Sequence, residues 1–126
     1  MKIEKEFIPY EQALELKKLG FNDECFAGYD IYTKELYIGY ENSQRTFNIE
    51  YYILAPTFSQ AFRWFREKYD LHYIVCKNVQ IDGYGYREVI QIPYMEENEN
   101  IILKTYEEAE LECLKKLIEI VKNGKK

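Results

Sequence analysis

The chain has 126 residues, of which 47% are hydrophobic and 31% are charged, and its formal net charge is −5. This length is enough to bury a core without metals or disulfides, so we expect residues 1–126 to form a single globular domain. The hydrophobic fraction argues against disorder, and no stretch approaches the ~20 apolar residues of a membrane-spanning helix.

The N-terminal segment and the cysteines indicate a cytoplasmic protein without a membrane partner. Residues 1–6 alternate charged and apolar side chains and lack the apolar core of a secretory signal. Cys25, Cys76 and Cys113 are odd in number and widely spaced. This pattern favours reduced thiols over a disulfide framework.

The first half of the chain predicts one helix followed by strands. Apolar residues recur at helical spacing from Tyr10 to Leu19, and Gly20 is typical of a helix end. The aromatic segment Phe26–Tyr40 breaks at Thr33-Lys34-Glu35, which predicts two strands joined by a turn. Alternating apolar and polar residues over Phe47–Ile53 predict a third strand.

A second helix is predicted to begin at Thr57-Phe58-Ser59-Gln60, directly after Pro56. The four residues fit a capping box, in which the Thr57 hydroxyl accepts from an early backbone N–H and the Gln60 side chain reaches back. Helical spacing then places five apolar side chains on one face of this helix: Phe58, Ala61, Phe62, Phe65 and Tyr69.

The remainder of the chain predicts a hairpin, an acidic loop and a third helix. The strands are His72–Ile81 and Tyr84–Pro93, split by Asp82-Gly83, a strong hairpin signal. Met95–Asn100 is interpreted as a loop, and a second capping box at Thr105–Glu108 begins the last helix. Its predicted core stripe comprises Ala109, Cys113, Leu114, Leu117, Ile118 and Val121.

The predicted order is α-ββ(β)-α-ββ-α. Helices and antiparallel hairpins alternate, and no strand–helix–strand unit has parallel character. The fold class that accommodates this order is α+β, with helices packed against an antiparallel sheet.

Two segments of the chain are recognisable, Ala55–Tyr69 (APTFSQAFRWFREKY) and Thr105–Leu111 (TYEEAEL). The chain resembles a family of small proteins, without an assigned activity, found in Bacteroides-type bacteria and their phages and prophages. The segment Leu16–Phe21 fits the same pattern. The resemblance implies a bacterial or phage cytoplasmic origin and carries no site residues onto this chain.

Catalytic and metal chemistry find little support in the sequence. The close cysteine pairs of zinc sites are absent, and His72, the single histidine, has no cysteine or serine signature around it. Gly83-Tyr84-Gly85 lies in a hairpin and lacks the loop-to-helix context of a phosphate cradle. We therefore predict no enzyme, no catalytic residues, no metal and no cofactor.

The second helix offers the best candidate for a binding surface. Trp64 lies roughly 120° from Phe58 on the helix, at the flank of the apolar stripe, and Trp, Tyr and Arg dominate interface hot spots. Either Trp64 packs beneath a neighbouring segment or it anchors a protein partner. The sequence therefore predicts a protein-binding surface comprising Arg63, Trp64, Arg66, Lys68, Tyr69 and His72.

Two alternatives remain open at this point. Arginine and aromatic side chains also stack on bases, so a single-strand nucleic-acid or nucleotide binder is the alternative function, although a net charge of −5 suits it poorly. Excess apolar surface on the last helix would favour a homodimer.

Overall fold

A computed structural model of the protein describes residues 3–39, 47–78, 82–89, 95–97 and 103–124. The predicted α+β class and the antiparallel strand pairing are confirmed. The chain groups into two compact units, residues 1–60 and 61–126, and the single domain stays a prediction. A short 3₁₀ helix, Ile3–Glu6, precedes the main elements: α1 (Tyr10–Lys18), β1 (Ala27–Asp30), β2 (Leu36–Ile38), β3 (Tyr52–Leu54), α2 (Phe58–Tyr69), β4 (Tyr73–Asn78), β5 (Gly83–Val89), β6 (Met95–Glu97) and α3 (Tyr106–Lys122).

The sheet of residues 1–60 is built around β1, in the antiparallel order β2-β1-β3. The predicted turn between β1 and β2 is confirmed, and its cause is the Asp30 carboxylate. This carboxylate accepts from the backbone N–H groups of Tyr32 and Thr33 at 2.8 and 2.9 Å. These bonds hold the pKa of Asp30 below its usual value, and in the same turn Lys34, whose N–H donates to the Asp30 carbonyl at 2.8 Å, has a φ of 64°.

Tyr29 links β1 to the N-terminal segment. Its hydroxyl donates to the Ile8 carbonyl oxygen at 2.7 Å, and its ring meets that of Tyr10 edge to face, with centroids 5.5 Å apart. Burial raises the pKa of the Tyr29 hydroxyl. A buried tyrosine hydroxyl needs a partner of this kind, so the contact fixes α1 relative to the sheet within this unit.

Gly28, also on β1, lies directly beneath the ring of Phe47. A Cβ placed at Gly28 would lie 2.9 Å from Phe47 Cδ1 and 3.2 Å from Tyr52 Cβ. The Phe47 and Tyr52 rings meet edge to face at 5.0 Å, and Tyr37 meets Tyr52 in the same way at 6.2 Å. The missing side chain thus makes room for an aromatic cluster on this face of the sheet.

The predicted third strand is shorter than the sequence pattern suggested. Phe47–Ile53 was expected to be extended, but the strand is β3, Tyr52–Leu54. The Asn48 side chain accepts from Glu50 N at 2.8 Å, and the Asn48 carbonyl accepts from the N–H groups of Tyr51 and Tyr52, both at 2.9 Å. Local bonds of this kind compete with a sheet ladder and turn the chain before β3.

Half of the predicted capping box of α2 is confirmed. Gln60 N donates to Thr57 Oγ1 at 3.1 Å. The Gln60 side chain does not reach back, however, because its Nε2 donates to the Glu24 carbonyl at 2.7 Å. This acceptor comes from a remote part of the chain, so local sequence could not reveal it.

In residues 61–126, β4, β5 and β6 form a second antiparallel sheet in that order, with α3 packed against β4 and β5. The predicted antiparallel hairpin is confirmed, but its turn was misplaced: Gly83 is the first residue of β5 and pairs with Asn78, while Asp82, just before it, has a φ of 48°. Parts of the two predicted strands, residues 79–81 and 90–93, lie outside the described residues. The predicted loop Met95–Asn100 was wrong in its first three residues, which pair with β5 as β6.

The capping box of α3 is present in full. Glu108 N donates to Thr105 Oγ1 at 3.1 Å and Thr105 N donates to Glu108 Oε1 at 3.3 Å. Five of the six residues in the predicted core stripe are buried, and the sixth, Val121, is half-buried. None of the described helices combines the length and apolar character needed to cross a bilayer.

Substitution of Gly28 by Ala should lower the free energy of unfolding by about 1–3 kcal/mol, because the new methyl group overpacks the Phe47 ring. The same substitution in a Phe47→Ala background should cost much less, because the obstructing ring is gone. Urea unfolding of the four proteins in this double-mutant cycle measures both values. An equal cost in both backgrounds would show that Phe47 is not the obstacle.

Candidate functional site

The cationic part of the predicted α2 surface is exposed. Arg63, Arg66 and Lys68 all lie on the solvent side of the helix. His72 is also exposed, and its Nε2 lies 2.8 Å from Asp70 Oδ1. These side chains could meet a partner, but as charged groups in water they contribute little individually.

The aromatic side chains of this surface, Trp64 and Tyr69, are too buried to anchor a partner. Trp64 is only 6% exposed, and its ring packs edge to face on Phe65 and Tyr69 at 5.1 and 5.4 Å. Lys68 covers it further, with Nζ 5.2 Å from the ring centroid, and Tyr69 is half-buried. Of the two alternatives that the sequence left open, the structure shows the packed tryptophan.

Helical spacing misplaced Trp64 because the buried arc of α2 is wider than the predicted stripe. Ala61 is completely buried, and Phe62 on the opposite edge is half-buried. The centre of the buried face is therefore rotated from Phe58 towards Ala61, which brings Trp64 inside it.

Truncation of Trp64 to alanine should lower the free energy of unfolding by about 3–5 kcal/mol, the cost typical of removing a buried Trp side chain. Emission of the wild-type protein, which has one Trp, should be blue-shifted and protected from a soluble quencher. Urea unfolding beside the exposed control Arg66→Ala, expected within about 0.5 kcal/mol of wild type, checks the first point. A folded Trp64→Ala protein of near wild-type stability would show that Trp64 is an exposed residue.

A second candidate lies in residues 1–60, as an apolar groove between the end of α1 and strand β3. Its volume is about 230 Å³. One wall comes from α1 and the turn after it, and the other from β3 and the turn before it. The lining residues are Ala13, Lys17, Gly20, Phe21, Asn22, Ile49, Tyr52 and Leu54.

The α1 wall is shaped by the way the helix ends. Gly20 has a φ of 100° and donates to the Lys17 carbonyl, while Phe21 N donates to the Leu16 carbonyl, both at 3.0 Å. This is a Schellman motif, which requires the left-handed conformation that glycine adopts without strain. It folds Phe21 back onto Leu16, and both side chains are buried, so Phe21 becomes a fixed part of the wall.

The β3 wall combines a fixed ring with an exposed rim. Tyr52 is held by the aromatic cluster over Gly28. Ile49 lies in the turn closed by Asn48 and is 60% exposed. Tyr51, two residues further along the chain, is 56% exposed. Exposed apolar side chains beside a groove are typical of recognition surfaces.

The sequence did not single out these groove residues. The sequence indicates that the helix ends at Gly20, and this helix end fixes the α1 wall. Local sequence can therefore indicate this wall of the groove. The meeting of this wall with β3 depends on the tertiary packing of segments about 30 residues apart in the sequence, for which a single sequence holds no signal.

A third feature is an open, polar cavity of about 490 Å³ within residues 61–126. Asp70, Glu88, Lys116 and Glu119 line it, and Lys116 Nζ pairs with Glu119 Oε1 at 3.3 Å. Three of these charged residues are acidic and one is basic, and because the basic one is already paired with Glu119, the charges of the cavity do not define one ligand chemistry.

The cysteines do not suggest a reactive or metal-binding centre. Burial raises the pKa values of the Cys25 and Cys113 thiols to about 12, and Cys76 is half-buried. Within the described ranges, no three His, Cys, Asp or Glu side chains are grouped to hold a metal ion.

A disulfide-exchange reagent applied near pH 8 should modify Cys76 well before the other two cysteines. Their raised pKa values suppress the thiolate, which is the reactive form, and their burial blocks access. Thiol counting in native buffer and in denaturant measures this difference, with Cys76→Ser as the control that removes the fast phase. Rapid modification of Cys25 or Cys113 in the native protein would contradict the expected protection.

Comparison of the chain with protein-family models, with curated proteins and with solved structures finds no match.

Proposed function

We propose that the protein is a non-enzymatic binding protein whose partner is another protein, and that the partner inserts one apolar side chain into the groove between α1 and β3. The observation that carries the proposal is the size and lining of this groove. At about 230 Å³ it is smaller than the ~300–1,000 Å³ pockets that hold small molecules. Its volume suits the pockets that receive single hot-spot side chains at protein interfaces.

The rim of the groove supports the same function. Ile49 lines the groove and is exposed, so a partner surface that surrounds the inserted side chain would also remove this apolar group from water. Burial of a side chain of this size is worth about 1.5–3 kcal/mol. The walls are preorganised by Gly20 and by Tyr52, which lowers the entropic cost of binding.

The resemblance of the chain to proteins of Bacteroides-type bacteria and their phages supports a bacterial or phage cytoplasm as the place where the partner is met. The predicted α2 surface is a second interface for the same function. With Trp64 packed, this surface offers Arg63, Arg66 and Lys68 but lacks a central aromatic anchor. The same burial weakens the nucleic-acid alternative, because the indole is not available to stack on bases.

Affinity capture from a Bacteroides-type lysate, with mass spectrometry of the retained proteins, tests the proposal. Wild type is compared with Ile49→Asp, which places a charge on the groove rim, and with the matched control Arg66→Glu on α2. Both residues are exposed, so far-UV circular dichroism and thermal unfolding should find both variants folded.

We expect one protein to be retained by wild type and by Arg66→Glu, and to fall by about tenfold or more with Ile49→Asp. Loss with Arg66→Glu and retention by Ile49→Asp would instead locate the interface on α2. No retained protein in any of the three samples would contradict the proposal, and short oligonucleotides at low salt would then be tried as ligands.

A further inference from the structure

Among the described residues that line the groove, Lys17 is the one that carries a charge. It is exposed, and within the described residues it makes no ion pair with a carboxylate. The adjacent Lys18 differs in both respects, because it does not line the groove and its Nζ lies 3.4 Å from Glu15 Oε2. As far as the described residues show, this apolar groove therefore carries one ammonium group, and that group has no ion-pair partner among them.

Several backbone carbonyls near Lys17 already accept hydrogen bonds. The carbonyl oxygens at the end of α1 carry the partial negative charge of the helix dipole, which is smaller than the full charge of the ammonium group. Leu19 N donates to the carbonyl of Glu15, Gly20 N to that of Lys17 and Phe21 N to that of Leu16. The three carbonyls are thus engaged by the helix end, and the formal charge among the described lining residues is that of Lys17.

The described acidic residues beside the groove in the sequence do not pair with Lys17. Asp23 and Glu50 follow two lining residues in the sequence, but neither lines the groove nor pairs with Lys17 within the described residues. A ligand carboxylate would therefore meet Lys17 without displacing an existing ion pair.

We infer that the partner segment is acidic: an apolar side chain fills the groove, and an Asp or Glu of the same segment, within two positions of it, pairs with Lys17. The inference rests on the proposed function and adds the chemistry of the partner. Charge complementarity carries it, since an apolar segment without a carboxylate would leave the ammonium group partly desolvated and unpaired.

The probe for this inference is a displayed library of random linear peptides, selected on the immobilised full chain. Selected peptides are synthesised, and their affinities are measured for wild type, Lys17→Glu, Lys18→Glu and Ile49→Asp. Lys18→Glu is the matched control, because it reverses the same charge in the same turn of α1 and perturbs the helix dipole similarly, but lies outside the groove.

We expect selected peptides to combine one large apolar residue with an Asp or Glu one or two positions away. Their affinity should fall by about tenfold or more with Lys17→Glu and by less than about twofold with Lys18→Glu. Replacing the acidic residue of the peptide by its amide should weaken binding to wild type but not to Lys17→Met, which shows that the two groups interact.

Two results would separate the inference from the proposed function. Peptides that need Ile49 but bind Lys17→Glu as well as wild type would overturn the inference alone. Peptides insensitive to Ile49→Asp, or a selection that yields no peptide, would overturn both. A wild-type dimer in sedimentation that Ile49→Asp dissociates would identify a second copy of the chain as the occupant, against the inference.

Discussion

The absence of a side chain at Gly28 is the constraint on which the sheet of residues 1–60 depends. A methyl group there would approach the Phe47 ring to 2.9 Å, so only glycine lets this ring lie on the central strand. Phe47 in turn holds Tyr52 edge-on at 5.0 Å, and Tyr52 forms part of the groove. A steric property of one backbone position thus determines the shape of a surface that the glycine itself does not line.

The Asn48 turn explains why apolar residues are exposed beside this groove. A continuous strand over Phe47–Ile53 would place Phe47, Ile49, Tyr51 and Ile53 on one face. The turn breaks this alternation, so the four side chains differ in exposure. Phe47 and Ile53 are 5% and 3% exposed, whereas Ile49 and Tyr51 are 60% and 56% exposed. One hydrogen bond to the Asn48 side chain and two to its backbone carbonyl therefore leave two residues of a strand-like pattern exposed, and one of them, Ile49, lines the groove.

Sequence reasoning succeeded where the determining interactions are local. The capping box at Thr105, the helix end at Gly20 and the hairpin of β4 and β5 each depend on residues a few positions apart, and all three are present, although Gly83 belongs to β5 and not to the turn. It failed where distant segments decide the outcome. The bond from Gln60 to Glu24 and the burial of Trp64 depend on the tertiary environment, which helical spacing does not contain.

The candidate groove also depends on contacts between distant segments of the chain. The charge of the protein and of Lys17 indicates how the groove would recognise a partner. The protein carries a net charge of −5, so an acidic partner segment is repelled over distances up to the Debye length, about 10 Å at 0.1 M salt. Lys17 therefore cannot speed the encounter by steering. Its attraction for a carboxylate is strongest at contact, after the apolar side chain has entered the groove and the pair has lost part of its water, and there a misplaced or missing carboxylate costs most. In the proposed complex the groove contributes affinity through apolar burial. Lys17 contributes specificity, because it favours those apolar segments that also carry a carboxylate.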